Sequence, residues 1–171
     1  MAYHPDNIEK FASRPGRCLF GTSPTLTDLR IAYGGRGDMQ WLIVQLSTWQ
    51  EKMNVPTKMT ACQVESCAQS ITEAYGHLKA SEIALFLARL LGGAYTVDWY
   101  GSVSPDKILQ ALREQFMPWR NNQFYIREKR MEEQRRDEAI GNPNNITYEQ
   151  WLKEKQERGE EVSIKTNPIK I

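Results

Sequence analysis

Between Ser81 and Leu91 the chain reads Ser-Glu-Ile-Ala-Leu-Phe-Leu-Ala-Arg-Leu-Leu, and only Glu82 and Arg89 interrupt the apolar surface. At helical period such a run is hydrophobic nearly all the way round, so the helix must be packed on several sides. The rest of the domain has to cover it. Gly92-Gly93 supply residues tolerant of positive φ and stop it. Ala94 to Tyr100 then alternates and is β-prone, and Gly101 closes a turn. Ser104-Pro105-Asp106 starts a second helix with an N-cap, a proline at N1 and an acid at the positive helix end. Ile108, Leu109, Leu112 and Phe116 form its apolar face.

The same signals recur upstream. Ser23-Pro24 opens a short helix with Leu26, Leu29 and Tyr33 on one face and Gly34-Gly35 as the stop. Asp38 is read as the N-cap of a longer helix carrying Leu42, Leu46, Trp49 and Met53, widened by Trp41 and Val44. Thr60 and Gln63 make a capping box for the next, whose face is Val64, Cys67, Ala68, Ile71 and Tyr75, with Gly76 as its stop. That predicts an all-α bundle of about five helices over Ser23–Phe116, with a short extended aromatic corner at Tyr95–Tyr100. Residues 1–22 show no sustained period and read as a partly docked arm. The helical domain is drawn as 23–120, followed by a charged helical extension at 121–140. Residues 141–171 hold an Asn/Pro/Gly linker, a short docking helix opened by Thr147–Gln150, and a disordered tail.

Composition excludes several functions. A net charge of +1 from 22 basic and 21 acidic residues provides no global field to attract nucleic acid or a membrane. No apolar run approaches a membrane span and the N-terminus is no signal peptide, which predicts a cytoplasmic protein. Cys18, Cys62 and Cys67 read as buried free thiols in a reducing cytosol. Cys62 and Cys67, five apart on a helix, point in different directions, and His4 and His77 have no spaced partners, so no metal and no cofactor is expected. No nucleophile or P-loop pattern occurs, so an enzyme is not expected. Gly34-Gly35-Arg36-Gly37 could cradle a phosphate, but Asp38 would repel it, and stop, turn and cap explain every residue. Glu82 is read as a polar edge paired with Lys79 or Arg89.

Two features carry function. Arg113, Arg120, Arg127 and Arg130 fall near one helical stripe if the helix runs through Pro118, with Trp119, Phe124 and Tyr125 interleaved. Cations for phosphates and rings for stacking suit single-stranded nucleic acid; a solvated helix paired through Glu114, Glu128 and Glu132 is the competing reading. The second is the tethered helix, whose Tyr148, Trp151 and Leu152 would dock into a protein partner or fold back onto their own domain.

Several spaced motifs resemble a known family. They are Ala32-Tyr-Gly34, Trp41-Leu42 with Gln45-Leu46, Leu78 to Phe86, Gly93-x-Tyr95, Trp99 to Pro105 and Ile108 to Arg113. Together they look like a family of small helical proteins of unknown function in Bacteroides-type bacteria, their phages and mobile elements. The likeness covers about Leu26 to Arg120, implies a helical fold, and brings no catalytic residues with it. Trp99-Tyr100-Gly101 stands where that family usually has Phe-Tyr-Gly. A fainter likeness, in architecture alone, is to phage helicase loaders. The expected function is a non-enzymatic accessory or adaptor protein that binds a replication or DNA-processing partner. The alternative is a homo-oligomeric structural or scaffolding protein.

Overall fold

The computed structural model describes residues 10–11, 13–141 and 148–158. Among them the protein is all-α: α1 Pro15–Phe20, α2 Leu26–Ala32, α3 Gly37–Glu51, α4 Ala61–Tyr75, α5 Ala80–Leu91 and α6 Pro105–Ala111. A π-helical turn, Leu112–Phe116, leads into α7, Met117–Gly141, and α8 is Tyr148–Glu157. The only β pairing among the described residues is two isolated bridges, Thr25 to Lys79 and Thr57 to Ser102. The chain divides into two compact units, Met1–Gln123 and Phe124–Ile171.

In the first unit α5 is the central helix. Every residue from Ala80 to Ala88 is buried, as the all-round apolar run requires. The core also buries Leu42, Leu46 and Trp49 of α3, Val64, Cys67, Ala68 and Ile71 of α4, and Ile108, Leu112 and Phe116, the last with its ring 5.4 Å from that of Phe86 on α5. Burial of each large side chain contributes roughly 1.5–3 kcal/mol. The Trp49 indole N–H is not orphaned at that depth, because it donates to the Leu87 carbonyl at 3.0 Å. The Thr60–Gln63 capping box forms as the sequence predicts. The aromatic corner forms no strand. It is pinned by Trp99 against Trp49 at 5.9 Å and by backbone bonds between Thr57 and both Gly101 and Val103.

Four details correct the reading from sequence. The arm contains a helix: α1 buries Cys18 and Leu19, and its end is held by Lys79, whose ammonium donates to the Leu19 and Gly21 carbonyls at 3.0 Å. Six residues are too few for a period to show. The next helix starts at Leu26 rather than at Pro24, because Thr25 caps it in a box with Asp28 and Pro24 instead gives its carbonyl to Ala80. Its Tyr33 is exposed. Arg36, not Asp38, is the N-cap of α3; Asp38 is buried in the first turn against Arg30.

Gly37 explains how closely α2 and α3 pack: a Cβ there would lie 2.5 Å from both the Leu29 carbonyl oxygen and the Tyr33 Cβ. Pro118 neither ends nor breaks the helix. It has no N–H to donate and its ring would press on the Glu114 carbonyl one turn back. The π turn widens the helix at that point, with the Met117 N–H bonded to the Leu112 carbonyl five residues earlier.

Candidate functional site

The widened turn decides where the predicted arginines point. Arg113 lies before most of the turn and Arg120 after it, so their spacing no longer keeps them on one face. Arg113 is exposed and pairs with its neighbour Glu114 at 2.9 Å, which holds the Glu114 carboxyl below the usual carboxylate range. Arg120 turns inward. Its Nε meets Glu82 Oε1 at 2.8 Å, with the side chains 17% and 0% exposed respectively. The other Glu82 oxygen accepts the Lys79 backbone N–H at 2.9 Å, so one buried carboxylate caps α5 and holds α7. Glu82 is therefore a buried acid, not a polar edge, and its cationic partner is Arg120 rather than Lys79 or Arg89. Thirty-eight residues separate the pair, beyond any local spacing rule.

Trp119 and Arg89 are also committed within this unit. The Arg89 guanidinium stacks 4.1 Å from the Trp119 ring centre and donates to the Tyr95 hydroxyl at 2.9 Å. Phe86, Tyr95, Phe116 and Trp119 form successive ring contacts of 5.4–5.9 Å behind it. Burial pushes the Tyr95 hydroxyl up from its ordinary pKa. Of the predicted nucleic-acid set, Arg113, Trp119 and Arg120 thus belong to the first unit, and two of them are built into its packing.

Phe124, Tyr125, Arg127 and Arg130 belong to the second unit, on α7. Phe124 is half-buried, while Tyr125, Arg127 and Arg130 are exposed. From Phe124 to Gly141 five basic residues (Arg127, Lys129, Arg130, Arg135, Arg136) face five acidic ones (Glu128, Glu132, Glu133, Asp137, Glu138). That stretch has no net charge to gather phosphates. The docking set lies on α8. Trp151 is at the edge of exposure with the Lys155 ammonium 5.6 Å from its ring, and Leu152 is half-buried. The backbone of Tyr148 begins the helix. The predicted Thr147 capping box, the linker and the tail after residue 159 lie outside the described residues.

Two of the three thiols are buried as expected, and Cys62, in the first turn of α4, is not. Cys67 is buried and pushed up to about 12, Cys18 is buried and raised for the same reason, and Cys62 is exposed. No three metal-ligating side chains gather among the described residues, and no helix among them is long and apolar enough to cross a membrane.

Periodicity and spacing also missed the tip of the aromatic corner. Tyr100 sits at φ 41° and Gly101 at φ 76°, in a turn closed by the Ser102 N–H on the Trp99 carbonyl at 2.8 Å. A bulky residue with positive φ is strained, yet this ring is 84% exposed and adds nothing to the core. Only Gly101 beside it announced a turn.

These observations define a helical domain locked by one buried charge pair, followed by a charge-balanced helical unit. Residues 58–161 match a family of unknown function, DUF6633, and the chain belongs to that family. The match begins later than the motifs that suggested a resemblance and extends through α8. No curated protein and no solved structure matches the chain.

Proposed function

We propose that the protein is a non-enzymatic accessory or adaptor protein that engages a protein partner through its second unit. The supporting observation is where side-chain bonding capacity is spent. In the first unit Glu82, Arg120, Lys79 and Arg89 are used on the fold itself. In the second unit Tyr125, Ile126, Met131 and Trp151 present apolar surface to solvent on helices rich in charged residues; the first unit exposes Ile31, Tyr33, Val44 and Tyr100 as well, but on a domain that has its own core. Such side chains gain most from burial by another molecule. Trp151 and Leu152, with Tyr148, are the proposed contacts. The setting in this reading, a phage or mobile element of Bacteroides-type bacteria, rests on the resemblance carried by Leu78–Phe86 and Trp99–Pro105; a cytoplasmic replication or DNA-processing partner rests on the tethered α8 and on the likeness in architecture to phage helicase loaders. Single-stranded nucleic acid is a secondary ligand in this reading, with Arg127 and Arg130 as its contacts and Arg120 removed from the set.

The test compares partners retained by the full chain, by Trp151→Ala/Leu152→Ala, and by a chain lacking residues 147–171. Loss of a stoichiometric partner in both variants is expected; an unchanged partner set refutes the docking role. A titration with fluorescent single-stranded DNA at about 50 and 200 mM salt checks the secondary ligand. Binding there should fall with salt and with Arg127→Ala/Arg130→Ala. The scaffold reading has one observation in its favour, the long run of alternating charge on α7, which suits packing against another copy. Molar mass in solution separates the two, because the scaffold requires an oligomer.

A further inference from the structure

The first unit has a cleft of about 280 Å³ between the α2–α3 turn and α4. Its walls include Arg30, Gly35, Arg36, Asp38, Gln69 and Glu73. Two of its four charges cancel internally. Arg30 reaches Asp38 Oδ2 through both Nε, at 2.8 Å, and Nη2, at 2.7 Å; Asp38 is 1% exposed and the Arg30 side chain 45%. The buried carboxylate fixes this guanidinium and leaves its outer edge on the cleft. It also removes the objection that Asp38 would repel an anion, since that charge is already neutralised at contact distance.

The other two charges are unspent. Arg36 makes no side-chain hydrogen bond or ion pair with any described residue. Glu73 accepts the Gln69 amide at 2.8 Å on one oxygen, and its second oxygen has no described partner. Arg36 and Glu73 face the same cleft from different elements and do not pair with each other. An unpaired cation and an unpaired anion in one concave space match a ligand that carries both signs. The volume of about 280 Å³ falls just below the roughly 300 Å³ at which drug-sized ligand sites begin, so the cleft suits a small molecule.

We propose that this cleft binds a small zwitterion. Its oxyanion, a phosphate or a carboxylate, would be held by Arg36 and the outer edge of Arg30, and its ammonium group by the free oxygen of Glu73. Bidentate guanidinium contacts to an oxyanion are among the stronger charge-assisted bonds, and the fixed Arg30 loses little freedom in making them. The site belongs to the first unit and the proposed partner-binding residues to the second.

The experiment is an amide-resolved NMR titration of the full chain at constant ionic strength, using phosphoethanolamine, β-alanine and inorganic phosphate as probes. Saturable shifts confined to Gly35, Arg36, Asp38, Gln69 and Glu73 are expected for a zwitterion, with at least one zwitterion binding more tightly than inorganic phosphate. The tighter of phosphoethanolamine and β-alanine identifies the oxyanion. Arg36→Ala, which removes no internal contact, should weaken the tighter zwitterion by about tenfold. Glu73→Gln should abolish its advantage over inorganic phosphate. The proposal is overturned if no probe gives saturable shifts at the cleft, if inorganic phosphate binds as tightly as both zwitterions, or if Arg36→Ala responds as wild type. Unchanged amide positions outside the cleft establish that each variant is folded.

Discussion

Helix α5 and the part of α7 beyond Gln123 are both regular helices, yet they owe their order to opposite causes. In α5 nearly every side chain is buried, including the acid Glu82, and tertiary packing dictates the structure. Beyond Gln123 nearly every side chain is exposed, and the helix relies on good helix formers and i,i+4 pairs such as Glu132–Arg136. Such a pair is worth only a few tenths of a kcal/mol, whereas the Glu82–Arg120 pair cannot lose one partner cheaply. The contrast shows where substitutions should damage the fold and where they should leave it intact for binding.

The strongest way to break that contrast is to remove Arg120. Arg120→Ala leaves a fully buried carboxylate without its cation and should cost about 3–5 kcal/mol in urea unfolding. A cost near that of an exposed arginine would show that Glu82 is satisfied without it. Tyr100 sharpens the picture with the opposite sign. Tyr100→Gly relieves a left-handed conformation at an exposed tip and should raise stability by about 1 kcal/mol, seen as a higher Tm. A lower Tm would mean that the ring or the Lys107 ammonium 5.2 Å from it contributes more than the strain costs. In the second unit, Tyr125→Ser with Met131→Ser should change stability by less than about 0.5 kcal/mol by circular dichroism while weakening partner retention.

The smallest effect is a pH dependence. The Thr25 backbone N–H, and then its hydroxyl, hold the Asp28 carboxyl below the usual carboxylate range. A depressed carboxylate stabilises the fold above its unfolded pKa, and this contribution is lost as pH falls through the folded value. The stability difference between wild type and Asp28→Asn should therefore be present at pH 7 and vanish on acidification well below about pH 4. A difference that persists in acid would assign the effect to the shape of the amide and not to charge.

Local signals carried most of the fold. The Thr60–Gln63 box, the Gly34-Gly35 and Gly92-Gly93 stops and the buried faces of α3, α4 and α6 depend on residues within a turn or two of one another. What stayed hidden depends on distance along the chain or on a change of helical register. Glu82 and Arg120 find each other only after the fold has formed, and Arg30 reaches Asp38 across a glycine turn. The arginine stripe assumed an unbroken period of 3.6 residues, which the π turn before Pro118 interrupts. The cleft was half legible: Gly34 to Gly37 drew notice as a phosphate loop, but Glu73 lies on a helix that no local pattern connects to it.

The clasp of Lys79 and Ser81 on α1 has a consequence for synthesis. Ser81 donates to the Cys18 carbonyl at 2.7 Å, and the residues joined by these bonds stand about sixty apart in sequence. A ribosome makes α1 well before α5, so the surface that receives Cys18 and Leu19 is translated several seconds later at roughly 5–20 residues per second. During that interval a six-residue helix is too short to persist alone. Helix α1 therefore waits unformed and takes its place only once α5 has cleared the exit tunnel.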